Sequence, residues 1–108
     1  MANYLLLESR DPFDSAMLAH QYDLAARLVR EGNSVTLFLM QNGVLSARRG
    51  VDSGLPTRAS EAGVEVLADA FSLRERGIAS DQLASGVRIA PLRVIIAQLA
   101  AGHKALWH

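Results

Sequence analysis

The side chains in this sequence that could do chemistry follow three apolar runs, each of which has the composition of a buried strand. The candidate ligand-binding residues are Ser9, Arg10, Asn42, Gly43, Asp69, Phe71 and Ser72. In parallel α/β sheets, ligands bind at the carboxyl ends of the strands, where these residues would lie. Arg10 beside the exposed amides of a helix start could bind an anion, and Asp69 could bind a ligand or act as an acid or base. The pattern assigns no catalytic residue.

The same residues also have structural interpretations, which the sequence leaves open. Aspartate is favoured at helix N-termini, so Asp69 could cap the helix that follows it, a task for which Ser72 competes. Asn42 and Gly43 suit a turn, because glycine tolerates a positive φ and asparagine does so better than most residues. The segment 9–11 could likewise be a turn without a ligand.

Several kinds of site have no support in the sequence. The chain contains no cysteine, which excludes disulfides and thiolate metal sites. Its three histidines form no metal-binding pattern such as HExxH, and no serine stands in a nucleophile elbow. We therefore expect no metal and no cofactor, and we favour a role other than an enzyme.

The composition describes one small globular domain over residues 1–108. Half of the residues are apolar and a fifth are charged, as in globular rather than disordered chains. Eleven basic residues balance eleven acidic ones, so no net field attracts nucleic acid or an anionic membrane. No apolar run has the length of a membrane span, and the first residues lack the features of a secretory signal. These observations predict a cytoplasmic protein.

Strands and helices alternate along the chain. Apolar runs predict strands over 4–8, 34–40, 64–68, 87–90 and 104–107. Helical patterns predict helices over 12–31, 44–62, 72–76 and 91–102, the first beginning at Pro12 and the second interrupted by a loop over 50–56. The alternation predicts an α/β fold, a three-layer sandwich with a mainly parallel sheet of about five strands and helices on both faces.

Two segments resemble the DsrE/TusBCD-like (DsrE/DsrF/DsrH) sulfur-relay family. They are FLMQNGV at the end of the second strand and ADAFSLRERGI at the end of the third, and the ending LWH is also similar. The resemblance spans essentially the whole chain and implies the strand order 2-1-3-4-5. It also implies that Asp69 stands where the family carries the cysteine that holds sulfur as a persulfide. Members assemble into trimers, hexamers or mixed heterohexamers and pass sulfur to partner proteins.

The residue at position 69 changes what the resemblance predicts about function. A persulfide needs a nucleophilic thiolate, which a carboxylate cannot replace. We therefore predict a non-catalytic binding or scaffold subunit associated with sulfur-relay-type systems. The alternative is a small enzyme or ligand sensor that uses Asp69 and neighbouring loop residues in a pocket between subunits.

Apolar residues on outer helix faces indicate self-association. In the last helix the spacing i, i+3, i+4 and i+7 predicts an inward stripe of Leu92, Ile95, Ile96 and Leu99. Outward positions are then Val94 and Ala97, with Ala19 and Ala26 on the first helix. Together with the assembly that the resemblance implies, these positions predict a homo-oligomer, a trimer or hexamer with a dimer as runner-up. Sulfur-relay proteins are possible further partners, and neither nucleic acid nor membrane is expected.

Overall fold

The structure is a computed structural model that describes residues 1–11, 17–50 and 54–108. A five-stranded parallel sheet lies at its centre. The strands are β1 (Asn3–Glu8), β2 (Ser34–Leu39), β3 (Glu65–Asp69), β4 (Val87–Ala90) and β5 (Lys104–Trp107). The helices are α1 (Leu18–Arg30), α2 (Leu55–Glu61), α3 (Ala70–Glu75) and α4 (Arg93–Ala100), with 3₁₀ segments at Gln41–Ala47 and Ser80–Gln82. The predicted α/β fold is confirmed, while the predicted helix start at Pro12 and residues 51–53 of the predicted loop lie outside the described residues.

The strand order differs from the prediction. The structure has β4-β3-β2-β1-β5, so the predicted order 2-1-3-4-5 is wrong, and β1 lies between β2 and β5 rather than beside β3. With this order, right-handed crossovers determine which face of the sheet each helix covers. From β1 to β4 the chain steps in one direction across the sheet, which keeps α1, α2 and α3 on one face. The chain then returns across the sheet, with α4 on the opposite face, and adds β5 beside β1.

The sheet is covered unequally on its two faces. On one face a large core cluster joins α1, α2 and α3 to the central strands, with Tyr22, Leu37 and Leu73 among its buried members. On the other face the cluster is small and receives only Ile95 of α4 as a fully buried helix residue; its members are Leu5, Leu7, Phe38, Leu67, Ala90 and Ile95. The helix α4 is thus a thin cover for its side of the sheet.

The helix α4 presents its large apolar side chains to solvent. Ile95 is buried and Val94 is partly buried against the same cluster. Leu92 is 50% exposed, Ile96 is 60% exposed and Leu99 is 47% exposed. The predicted inward stripe is therefore wrong at three of its four positions, because helical spacing identifies an apolar face without saying what covers it. We call Leu92, Ile96 and Leu99 the outer α4 stripe.

Two kinds of feature are absent from the described part of the chain. Within residues 1–11, 17–50 and 54–108, no helix is long and apolar enough to cross a membrane. The same residues contain no group of three or more histidine, aspartate or glutamate side chains placed to hold a metal ion.

Candidate functional site

The carboxyl ends of β1, β2 and β3 lie together at one edge of the sheet, as the parallel pairing requires. Glu8 pairs in register with Leu39 of β2, and Asp69 ends β3. The 3₁₀ segment Gln41–Ala47 and the helix α3 both begin at this edge. The predicted site residues therefore lie near one edge of the sheet. Their contacts show which of them face a common pocket and which are buried in the packing.

Asp69 caps the helix α3. Its Oδ2 accepts a 3.0 Å hydrogen bond from the Ser72 backbone N and a 2.6 Å hydrogen bond from Ser72 Oγ. Ser72 Oγ in turn accepts a 2.8 Å hydrogen bond from the Gln41 backbone N. Asp69 and Ser72 are 8% and 4% exposed, so this chain of hydrogen bonds is buried. The capping interpretation of Asp69 is confirmed, and Ser72 receives the cap rather than providing it.

Gly43 serves close packing rather than a positive φ. A Cβ atom on Gly43 would lie 2.2 Å from the backbone oxygen of Glu8, so only glycine fits against the end of β1. The left-handed backbone in this turn belongs to Gln41, whose φ is 51°. The turn interpretation of this segment is thus right about the bend and wrong about the reason for Gly43.

Asn42 is held by an arginine from α3's C-terminal end. Its Oδ1 accepts hydrogen bonds from Arg76 Nε at 3.2 Å and from Arg76 Nη2 at 3.0 Å. Arg76 also donates to the Ser72 carbonyl oxygen at 3.2 Å. Since a guanidinium only donates, the amide oxygen of Asn42 must face it, and the amide Nδ2 faces away.

A carboxylate at the end of β1 is buried against the end of the chain. Glu8 is 0% exposed, and its Oε1 lies 2.7 Å from His108 Nδ1. Its Oε2 accepts a 2.9 Å hydrogen bond from the Arg10 backbone N. Both carboxylate oxygens therefore have partners, as a buried charge requires.

Backbone pairing explains why His108 reaches Glu8. β5 lies beside β1 in parallel register, with Leu7 opposite Trp107. The His108 N donates to the Leu7 oxygen at 2.8 Å, and the Ser9 N donates to the His108 oxygen at 2.9 Å. The two strand ends are thus joined beyond the regular ladder.

Trp107, the last residue of β5, also contacts the end of β1. Its indole Nε1 donates a 3.1 Å hydrogen bond to Ser9 Oγ, and Ser9 Oγ donates a 3.2 Å hydrogen bond to the His108 oxygen. The tryptophan side chain is nevertheless 66% exposed. An aromatic ring is thereby fixed at its polar edge while most of its surface remains open to solvent.

These residues border an open surface pocket of about 490 Å³ between the ends of β1, β2 and β5. Its lining residues are Ser9, Arg10, Asp11, Asn42, Trp107 and His108. Three of the predicted ligand-binding residues, Ser9, Arg10 and Asn42, come together there.

The other predicted site residues lie outside this pocket. Gly43, Asp69 and Ser72 are buried in the packing described above, and Phe71 is 60% exposed on α3. The sequence analysis selects none of Glu8, Trp107 and His108 as site residues. The signal that could have found them is β5 beside β1, which brings Trp107 and His108 to Glu8, whereas the expected strand order places β5 at the far edge.

Comparison with known proteins establishes the fold and no family. No protein-family model matches the sequence, and no curated protein matches it either. Among solved structures, the YchN protein of E. coli is similar at 25% identity and a TM-score of 0.84, over 100% of both chains. The protein of unknown function MTH1491 from Methanobacterium thermoautotrophicum is similar at 20% identity and a TM-score of 0.82, over 98% of this chain and 100% of that one.

A third solved structure extends the same fold to another bacterium. The conserved protein of unknown function BT1422 from Bacteroides thetaiotaomicron is 18% identical with a TM-score of 0.71, over 98% of this chain and 95% of that one. Each of these likenesses covers nearly the full length of both proteins. They support the α/β architecture described above.

Proposed function

We propose that this protein is a DsrE-type binding or scaffold subunit that assembles with itself and does not carry sulfur. The observation that carries the proposal is the buried, capping role of Asp69, the residue that the resemblance places at the position of the family's persulfide cysteine. Its carboxylate is buried and serves as the cap of α3. No residue of the chain offers a thiol, since the sequence contains no cysteine.

The assembly part of the proposal is supported by the outer α4 stripe. Leu92, Ile96 and Leu99 lie on one side of the helix at i, i+4 and i+7, and each is about half exposed or more. Large apolar side chains grouped on one face are typical of protein–protein contacts. Because the chain has zero net charge, net electrostatic repulsion does not oppose association between copies. A trimer or hexamer is the assembly that the resemblance favours, with sulfur-relay proteins as further partners in the cytoplasm.

The contacts of Asp69 do not favour the alternative, a small enzyme or sensor that uses this residue. A reacting carboxylate needs access to its substrate, and Asp69 is 8% exposed with its Oδ2 already bonded twice to Ser72. The pocket at the sheet edge is lined by other residues. Asp69 therefore supports the structure of this edge rather than its chemistry.

Native mass spectrometry of the purified protein tests the proposal in one experiment. We expect an assembly of several chains, with no added sulfur after incubation with a low-molecular-weight persulfide donor. A stable gain of one sulfur atom per chain would overturn the non-carrier role. A single chain as the main species at micromolar concentration would overturn the scaffold role.

A further inference from the structure

We propose that the pocket between the ends of β1, β2 and β5 binds a small planar anion, namely an aromatic or heteroaromatic ring that bears a carboxylate or phosphate group. This proposal goes beyond the scaffold function and does not depend on it. It rests on a fixed aromatic surface, an arginine without a partner among the described residues and a histidine oriented by a buried carboxylate.

Trp107 provides the surface for the ring. Its indole Nε1 is held by Ser9 Oγ, and its backbone is held in β5 beside β1. The side chain is 66% exposed although it lines the pocket. An aromatic face that is held in place loses little entropy when a planar ligand stacks on it, and such stacking contributes about 0.5–1.5 kcal/mol beyond the area buried.

Arg10 provides the positive charge. Its backbone N is fixed by Glu8 Oε2, which places the side chain at the pocket. Within residues 1–11, 17–50 and 54–108, the Arg10 guanidinium makes no hydrogen bond and no ion pair. A guanidinium has five donors in a planar fork that matches a carboxylate or phosphate.

His108 and Asn42 add polar atoms that suit the same ligand. The Nδ1 of His108 is engaged by Glu8 Oε1 at 2.7 Å, so the Nε2 is the ring nitrogen left for the pocket. The His108 side chain is 25% exposed, which gives a ligand access to it. The Nδ2 of Asn42 is a donor turned away from Arg76, as shown above.

Two acidic side chains, Glu8 and Asp11, lie at or behind the described lining of the pocket. Glu8 is fully buried and both of its oxygens are bonded, so a ligand cannot reach it. Asp11 lines the pocket and has an interaction of its own. Its charge opposes that of Arg10, and the charge of the preferred ligand measures which of the two dominates.

Tryptophan fluorescence tests the proposal on the unmodified protein, because Trp107 is the one tryptophan of the sequence. The ligands are benzoate, phenyl phosphate, benzamide and benzamidine, which share one planar ring and differ in charge. We expect benzoate or phenyl phosphate to change the fluorescence and to bind about tenfold more tightly than neutral benzamide. Whichever of the two anions binds more tightly identifies carboxylate or phosphate as the preferred group.

Three results with the wild-type protein would overturn the proposal. Equal binding of benzoate and benzamide would show that charge is not recognised. Tighter binding of benzamidine would show a cation site governed by Asp11. No fluorescence change with either anion at millimolar concentration, together with no heat of binding by calorimetry, would show that no such site exists.

Two variants then assign the roles of the residues, with calorimetry as the common measurement. Arg10→Gln should weaken anion binding about tenfold while leaving benzamide binding unchanged. Trp107→Leu should weaken all ring ligands, because the stacking surface is lost. Arg93→Gln is the matched control, since Arg93 is exposed on α4 and does not line the pocket. An equal loss of anion binding in Arg93→Gln and Arg10→Gln would contradict the assignment.

Discussion

Glu8 Oε1 and His108 Nδ1 lie 2.7 Å apart although the two residues are separated by 100 positions in the sequence. The contact closes the sheet edge at which the first and last strands meet. It gives a fully buried carboxylate a polar partner, and it orients an imidazole toward the candidate pocket.

Loss of the His108 imidazole should destabilise the fold. In His108→Leu the buried Glu8 carboxylate keeps only the Arg10 backbone N as a partner, and we expect the free energy of unfolding to fall by about 2–3 kcal/mol. In His108→Asn the amide nitrogen takes the place of Nδ1, and the loss should stay below about 1 kcal/mol. Urea unfolding measures both variants. Equal stability of His108→Leu and wild type would show that the contact contributes nothing.

Gly43 should tolerate no side chain. In Gly43→Ala the new Cβ would collide with the backbone oxygen of Glu8, and the required shift should cost about 1–3 kcal/mol of unfolding free energy. Gly77→Ala is the matched control, because Gly77 has a φ of 66° and no heavy atom within 4 Å of its Cβ position. Its cost should be the strain of a positive φ alone, about 1 kcal/mol. A smaller loss for Gly43→Ala than for Gly77→Ala would contradict the close-packing explanation.

The cap on α3 should depend on an acceptor at position 69. Asp69→Ala leaves the Ser72 N–H without its acceptor, so we expect a loss of about 1–2 kcal/mol. Asp69→Asn keeps a side-chain oxygen as acceptor, and its free energy of unfolding should fall by only about a few tenths of a kcal/mol. Asp69→Cys should fold, with a loss close to that of the alanine variant, because sulfur is a weak acceptor. Thermal unfolding compares the three variants, and an unfolded Asp69→Asn would show that the negative charge is indispensable.

The sequence predicts the class of the fold because strong local signals mark its elements. Apolar runs identify β1 to β3, whose central residues are buried on both faces of the sheet, and glycine ends several of the predicted helices. The cap at Asp69 is also predictable from the sequence, since an aspartate three residues before an available N–H is a local pattern. These features depend on neighbours in the chain.

The features that the sequence did not predict depend on tertiary placement. The predicted strand order rests on the family resemblance, whereas the observed order places β5 beside β1. That pairing alone brings His108 to Glu8, which no spacing in the sequence could indicate. Likewise, the period of α4 marks an apolar face at Leu92, Ile96 and Leu99, but burial depends on what lies opposite that face.

The outer α4 stripe should control assembly through Ile96, which is 60% exposed at its middle. Ile96→Glu places a charge at the centre of the proposed contact, where hot-spot residues contribute about 2 kcal/mol or more, equivalent to roughly 30-fold in affinity. Ala79→Glu adds the same charge at an exposed position next to Ile78, which packs in the core cluster on the other face of the sheet.

Light scattering of wild type, Ile96→Glu and Ala79→Glu at equal micromolar concentrations is the most direct test of the proposed self-assembling subunit. We predict that wild type and Ala79→Glu have the mass of a trimer or hexamer and that Ile96→Glu shifts toward the mass of one chain. A wild-type protein with the mass of one chain, or an Ile96→Glu variant that assembles as fully as wild type, would contradict the account.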